Sequence, residues 1–149
     1  MSLENLLKIG QLREHSPDST EIQKLLAGAA RNLEDARVAA VSTETRFDAA
    51  YKAIMQAALA ALKANGFRPN TNRPGHHLTV IQSLPLTIGL EKTKVLVLDT
   101  LRRKRNTLDY TGEEVDSASL VHCIAAAENL LKEVQAWLKA ERSELYGSG

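Results

Sequence analysis

Apolar residues recur with a helical period along nearly the whole chain, and no stretch alternates as a half-buried strand would between turn signals. That pattern restricts the fold to packed helices. Ile22, Leu25, Leu26, Ala29, Leu33, Ala36 and Ala40 fall within one sector about 120° wide, the signature of a long amphipathic helix. Phe47, Ala50, Tyr51, Ile54, Met55, Ala58, Ala61 and Leu62 repeat the pattern. Ser42-Thr43-Glu44-Thr45 offers that helix a cap and an acidic first turn, and Asn65-Gly66 stops it.

The other elements follow from breakers. Leu3 to Arg13 reads as a short opening helix that ends before Ser16-Pro17-Asp18, with Ser19 or Thr20 capping the next. Phe67 to Gly75, containing Pro69, Asn70, Asn72 and Pro74, reads as an irregular loop able to move. His76 to Ile88 reads as a helix kinked or broken at Pro85, and Lys92 to about Tyr110 as another, closed by Thr111-Gly112. Ser117 to Arg142 forms the last long helix, with Leu120, Val121, Ile124, Leu131, Val134 and Leu138 expected on one face. The expected fold class is all-α, an antiparallel bundle of about five or six helices in one domain, residues 1–146, followed by a flexible tail, 147–149. Alanine-rich second and third helices pack closely but supply little apolar area each, which favours a homodimer.

Composition sets limits on function. With 44% hydrophobic and 25% charged residues the 149-residue chain has enough apolar surface for a core without metal or disulfides. Net charge is +1, so any basic surface must be local. The lone Cys123 and the absence of a charged-then-apolar leader point to a cytoplasmic protein, and the apolar run Ala57–Ala64 is too short for a membrane span. There is no GxxxxGK[ST] and no GxGxxG, so a self-contained ATPase or dehydrogenase is not expected, nor is any cofactor. His76 and His77 point about 100° apart on a helix with no Cys or carboxylate at ligand spacing, so no metal is expected.

The functional lead is the stretch Arg102-Arg103-Lys104-Arg105-Asn106-Thr107-Leu108-Asp109-Tyr110. Taking Leu98 as zero, Leu101 falls at about 300°, Arg105 at about 340°, Leu108 at about 280° and Asp109 at about 20°. Two ionisable groups thus border a core-facing seam, where a charge needs a partner or a wet groove. Arg103, Asn106 and Tyr110 occupy the adjoining flank, and the six candidate ligand-binding residues are Arg103, Arg105, Asn106, Asp109, Tyr110 and His77. His77 enters as a proton carrier that could face the groove near Arg105. Plainer readings stay open: an Arg105–Asp109 ion pair at i, i+4, a solvated run of charges, and a Tyr110 ring that closes its helix.

The order of a long helix, the segment Arg46-Phe47-Asp48-Ala49-Ala50-Tyr51-Lys52-Ala53, a loop leading to His77, and Arg105-Asn106 late in a further helix resembles HEPN-domain proteins. The resemblance spans about residues 20 to 140. It implies a helical bundle that commonly dimerises, with an arginine and a histidine about four to six residues later forming a composite ribonuclease site in the dimer cleft. It also implies partners: many members are toxins paired with a nucleotidyltransferase-type antitoxin, or bind nucleotides or RNA without cleaving. Here Tyr110 stands where active members carry that histidine, and Gly112 replaces a further tyrosine of one toxin branch. A phenol with a pKa of about 10 moves protons poorly at neutral pH, whereas Arg105 and Asn106 retain the donors that bind phosphate. The leading expectation is binding of a nucleotide, an RNA or a nucleotidyltransferase-type partner without strong catalysis. A metal-independent ribonuclease toxin and a helical adaptor with no nucleic-acid role are the alternatives.

Overall fold

The computed structural model describes residues 1–146, so the expected tail at 147–149 lies outside the described residues. Most of the chain is helical, and four long helices carry the fold. In chain order the elements are α1 (Leu3–Lys8), β1 (Leu12–Glu14), α2 (Ser19–Ala36), α3 (Thr43–Ala64), β2 (Phe67–Pro69), α4 (His76–Gln82), α5 (Leu84–Thr87), α6 (Lys92–Thr111), α7 (Ser117–Glu141) and α8 (Ser143–Tyr146).

α3 is the central rod. It packs against α2 and α7 along its length and touches α4, α5 and α6 as well. Alanines 50, 53, 57, 58, 60, 61 and 64 are all fully buried, and they span a sector about 160° wide. So broad an apolar face belongs inside, and its small side chains let neighbouring axes approach closely, while Asp48, Lys52, Gln56 and Lys63 mark the polar side. Phe47, Ile54 and Leu62 supply bulk between them, opposite Ile22, Ala29 and Leu33 of α2 and Cys123, Leu130, Val134 and Leu138 of α7. Burial pushes the Cys123 thiol up to about 12, as suits a core residue rather than a nucleophile.

Side chains close the helix ends. Ser42 accepts from the amide of Thr45 at the start of α3, and Asp116 from that of Ser119 at the start of α7. Arg46 donates from Nε to the Ala36 carbonyl at the end of α2, 2.8 Å away, and Arg142 from Nη1 to the Ala64 carbonyl at the end of α3, 2.7 Å away. Gly112, at φ +68, stops α6.

Five local expectations are corrected. The opening helix stops at Lys8, not Arg13, because Gly10 takes the left-handed region at φ +81 and redirects the chain into β1. β1 pairs antiparallel with β2 inside the expected loop, in the register Leu12↔Pro69, Arg13↔Arg68, Glu14↔Phe67. Strands of three residues are too short to display alternation, and their partner lies more than fifty residues away. The cap of α2 is Asp18, which accepts from the Thr20 amide, so Ser19 and Thr20 lie in the first turn. α2 ends at Ala36, leaving Ala40 exposed outside it. On α7, Val121 is 63% exposed and the buried face runs instead through Leu120, Cys123, Ala127, Leu130, Leu131, Val134 and Leu138. The break at Pro85 is real: α4 ends at Gln82 and α5 starts at Leu84. Among the described residues no helix is long and apolar enough to cross a membrane.

Candidate functional site

α6 lays the Leu98 and Leu101 side chains into the core, and Leu108 is half-buried on the same stripe. Arg105 follows that stripe inward. Its side chain keeps only 32% exposure, and its Cζ lies 5.0 Å from the centroid of the Tyr51 ring on α3. The Nε atom is buried and has no hydrogen-bond partner. Asp48 Oδ1 stands 3.6 Å from it, and Asp109 Oδ2 lies 3.8 Å from Nη1, distances that are Coulombic contacts rather than hydrogen bonds. Both carboxylates are about 60% exposed, at 60% and 62%, so they sit in high-dielectric surroundings and hold the guanidinium loosely.

Tyr51 links this arginine to α4. Its ring is 3% exposed, and its hydroxyl contacts His77 Nδ1 at 3.3 Å. Burial pushes the phenol up to about 12, so at neutral pH the hydroxyl keeps its proton. His77 is held below the ordinary histidine value, first by burial and then by the charges of His76, Arg105 and Arg102. It is therefore neutral at pH 7 and can accept a proton or a hydrogen bond. The His76 ring meets that of His77 edge to face, centroids 4.9 Å apart.

A second ionic group stands on the flank of α6. Asp99 is buried, and accepts from Arg102 Nε at 2.8 Å and from Arg103 Nε and Nη2 at 2.9 and 2.6 Å. Burial pulls its carboxyl upward, but the Arg102 and Arg103 bonds outweigh that, leaving it below the usual aspartate value and ionised at neutral pH. Arg102, 18% exposed, is thereby fixed beside the seam, whereas Arg103 is 70% exposed.

Of the six candidates read from the sequence, Arg105 and His77 touch the same tyrosine, the first over its ring and the second at its hydroxyl, and Asp109 forms the rim. Arg103 turns towards Asp99 on the outer flank. Asn106 is exposed and Tyr110 is 94% exposed, so both face solvent. Four participants were missing from the six: Asp48, Tyr51, Asp99 and Arg102. One signal for Tyr51 was available, since a tyrosine on the buried face of a helix needs a partner for its hydroxyl.

Two apolar grooves lie elsewhere, between α6 and α7. One of about 270 Å3 is bordered by Leu90, Val97, Leu98, Ala126 and Leu130, and one of about 490 Å3 by Leu96, Val97, Leu101 and Ala118. Neither contains the Arg105 group. Among the described residues no three His, Cys, Asp or Glu side chains gather as metal ligands would. No protein-family model matches the chain, and no curated protein or solved structure matches it either.

Proposed function

We propose that this is a HEPN-like helical protein that binds a phosphate of a nucleotide or RNA at the seam of α3, α4 and α6, without strong catalysis. One observation carries the reading: Arg105 is half-buried, with an Nε that has no acceptor in reach and two carboxylates that only skirt it. A buried donor without a partner costs about 1–3 kcal/mol, and a phosphate oxygen is a strong acceptor for a guanidinium fork. Neutral His77 and the clamped Arg102 flank the same place, adding a hydrogen-bonding group and a positive field.

Weak catalysis fits the chemistry of the tyrosines. Tyr51 holds its proton to about pH 12, and Tyr110 lies out in solvent. One observation favours a second reading, a ribonuclease toxin: His77 is a neutral imidazole beside an arginine, the pair that in-line cleavage by a 2′-hydroxyl needs. A homodimer is part of the proposal, supported by Leu96 and Val97, which are 64% and 48% exposed at the α6/α7 grooves.

Fluorescence anisotropy with labelled single-stranded RNA, read beside a denaturing gel, separates these readings. Binding that weakens with salt, survives Arg105→Lys in part and is lost in Arg105→Ala supports a phosphate site. Cleavage abolished by His77→Ala supports the toxin. Equal binding by wild type and Arg105→Ala overturns both.

A further inference from the structure

The two-stranded ladder places Arg13 directly opposite Arg68, and both are exposed. Like charges facing each other across a strand pair are unfavourable, so this pairing works against the ladder that creates it. Arg73 joins them. A Cβ on Gly10 would stand only 2.7 Å from Arg73 Nη2, which means that the guanidinium rests on the glycine backbone beside the strands. Asn70 fixes the same corner, donating from Nδ2 to the Gly10 carbonyl and from its amide to the Gln11 carbonyl, both at 2.9 Å.

None of the three arginines has a carboxylate within salt-bridge distance among the described residues. Elsewhere Arg37, Arg102, Arg103, Arg105 and Arg142 pair with acids and Arg46 donates to a helix end, while Arg31 stands singly on α2 without a carboxylate at salt-bridge distance among the described residues. Three unpaired guanidinium groups thus gather at one corner of a chain whose net charge is only +1. They border or adjoin a groove of about 520 Å3 lined by Gly10, Arg13, Arg68, Asn70 and a single carboxylate, Glu14. Glu14, opposite Phe67 one step along the ladder, lines the groove but makes no salt bridge with either arginine.

A short stretch of chain joins this corner to the Arg105 seam. Arg73 precedes His76 by three residues, a Cα separation of at most about 11 Å, and His76 touches His77, which touches Tyr51. We infer that Arg13, Arg68 and Arg73 form a second phosphate-binding surface, which grips a single-stranded RNA whose path runs on past His76 to Arg105. The inference rests on the phosphate reading of Arg105 for the far end of that path, but the arginine corner is tested separately. Unpaired guanidinium groups on a rigid backbone corner suit a chain of phosphates better than one phosphate. The ligand is therefore a strand, not a mononucleotide.

The test compares binding of AMP with binding of an RNA oligonucleotide about ten nucleotides long, by titration of the full chain across a range of salt. The variants are Arg105→Ala, Arg13→Ala/Arg68→Ala, Arg68→Glu, and Lys132→Ala/Lys139→Ala, the last removing equal charge from α7. Wild type is expected to bind the oligonucleotide more tightly than AMP. Arg13→Ala/Arg68→Ala should weaken the oligonucleotide at least several-fold and flatten its logarithmic salt slope by about 0.7 per arginine, leaving AMP unchanged. Arg68→Glu turns the repulsive pair into an attractive one, so it should fold and still fail to grip the strand. The α7 control should change little. Oligonucleotide affinity equal to that of AMP, equal losses in the control, or no binding of the oligonucleotide by wild type would overturn the inference. If Arg105→Ala binds AMP like wild type while the ladder variants lose the oligonucleotide, the Arg105 reading falls and the arginine corner stands.

Discussion

Arg105 lies over the face of Tyr51, its Cζ 5.0 Å from the ring centroid, and this contact joins α6 to α3 where no hydrogen bond from the guanidinium does. An arginine on an aromatic face is worth about 0.5–2 kcal/mol, rising with desolvation. The ring thereby supports the charge from one side without using its donors. The tyrosine's other end is tied to His77, so one buried side chain positions both polar groups of the seam.

Separating the ring from the hydroxyl follows directly. Tyr51→Phe retains the surface under Arg105 and removes only the contact to His77, which should cost about 0.5–1.5 kcal/mol in urea denaturation. RNA affinity should change little. Tyr51→Ala removes the platform as well, at about 3–5 kcal/mol of stability, and RNA affinity should fall with it. If the two variants bind RNA alike, the ring has no part in positioning Arg105.

Acid should weaken the fold through His77. Its folded pKa lies below its unfolded value because burial and the neighbouring His76, Arg105 and Arg102 disfavour the imidazolium. The unfolded chain therefore takes up a proton first as pH falls through about 6.5, so stability present above that pH declines below it. Thermal unfolding followed from about pH 7.5 to 5 should show a falling midpoint, and His77→Gln should remove part of that slope. An unchanged slope in the variant would show that other groups carry it.

Asp99 is the ionic anchor of α6. Asp99→Ala leaves Arg102, which is mostly buried, without its acceptor, and should cost about 1–3 kcal/mol by denaturant midpoint. The same carboxyl titrates below its unfolded value, so the stability it contributes is present above about pH 3.9 and lost as pH falls further. Asp99→Asn should thus shrink the acid-limb loss. Asp99→Ala as stable as wild type would mean that Arg102 finds solvent easily.

How far these features were legible in the sequence depends on range. The long helices follow from local periodicity and caps, and Arg105 and Asp109 from their angle on α6, all of which is information carried within a few turns. The arrangement around Arg105 is not local. Asp48 and Tyr51 come from α3 and His77 from α4, and no spacing rule links segments more than fifty residues from Arg105 in the first case. Asp99 fell on the flank of α6, where a carboxylate ordinarily reads as a solvated charge, and only packing shows it buried. Turn arithmetic puts Asn106 and Tyr110 on the adjoining flank, but the neighbouring helices leave that flank open to solvent. The β1–β2 ladder, three residues a side, is stabilised by a partner that local pattern cannot supply.

Self-association, finally, should be separable from RNA binding. Leu96 and Arg105 are nine residues apart on one helix, which puts them about 180° apart around its axis. Leu96 and Val97 are exposed beside the α6/α7 grooves, bordered by the Lys94–Glu133 pair at one end and the Lys104–Asp116 pair at the other. A face carrying both signs at its ends is self-complementary under two-fold rotation, as an isologous dimer requires. Sedimentation velocity should find wild type as a dimer at micromolar concentration and Leu96→Lys/Val97→Lys as a monomer, because two lysines per protomer would have to be desolvated. The monomeric variant should keep its RNA affinity for a single site, since Arg105 lies on the far side of α6. Loss of binding together with the dimer would instead mean that the second copy completes the site, and a monomeric wild type would leave these side chains simply exposed.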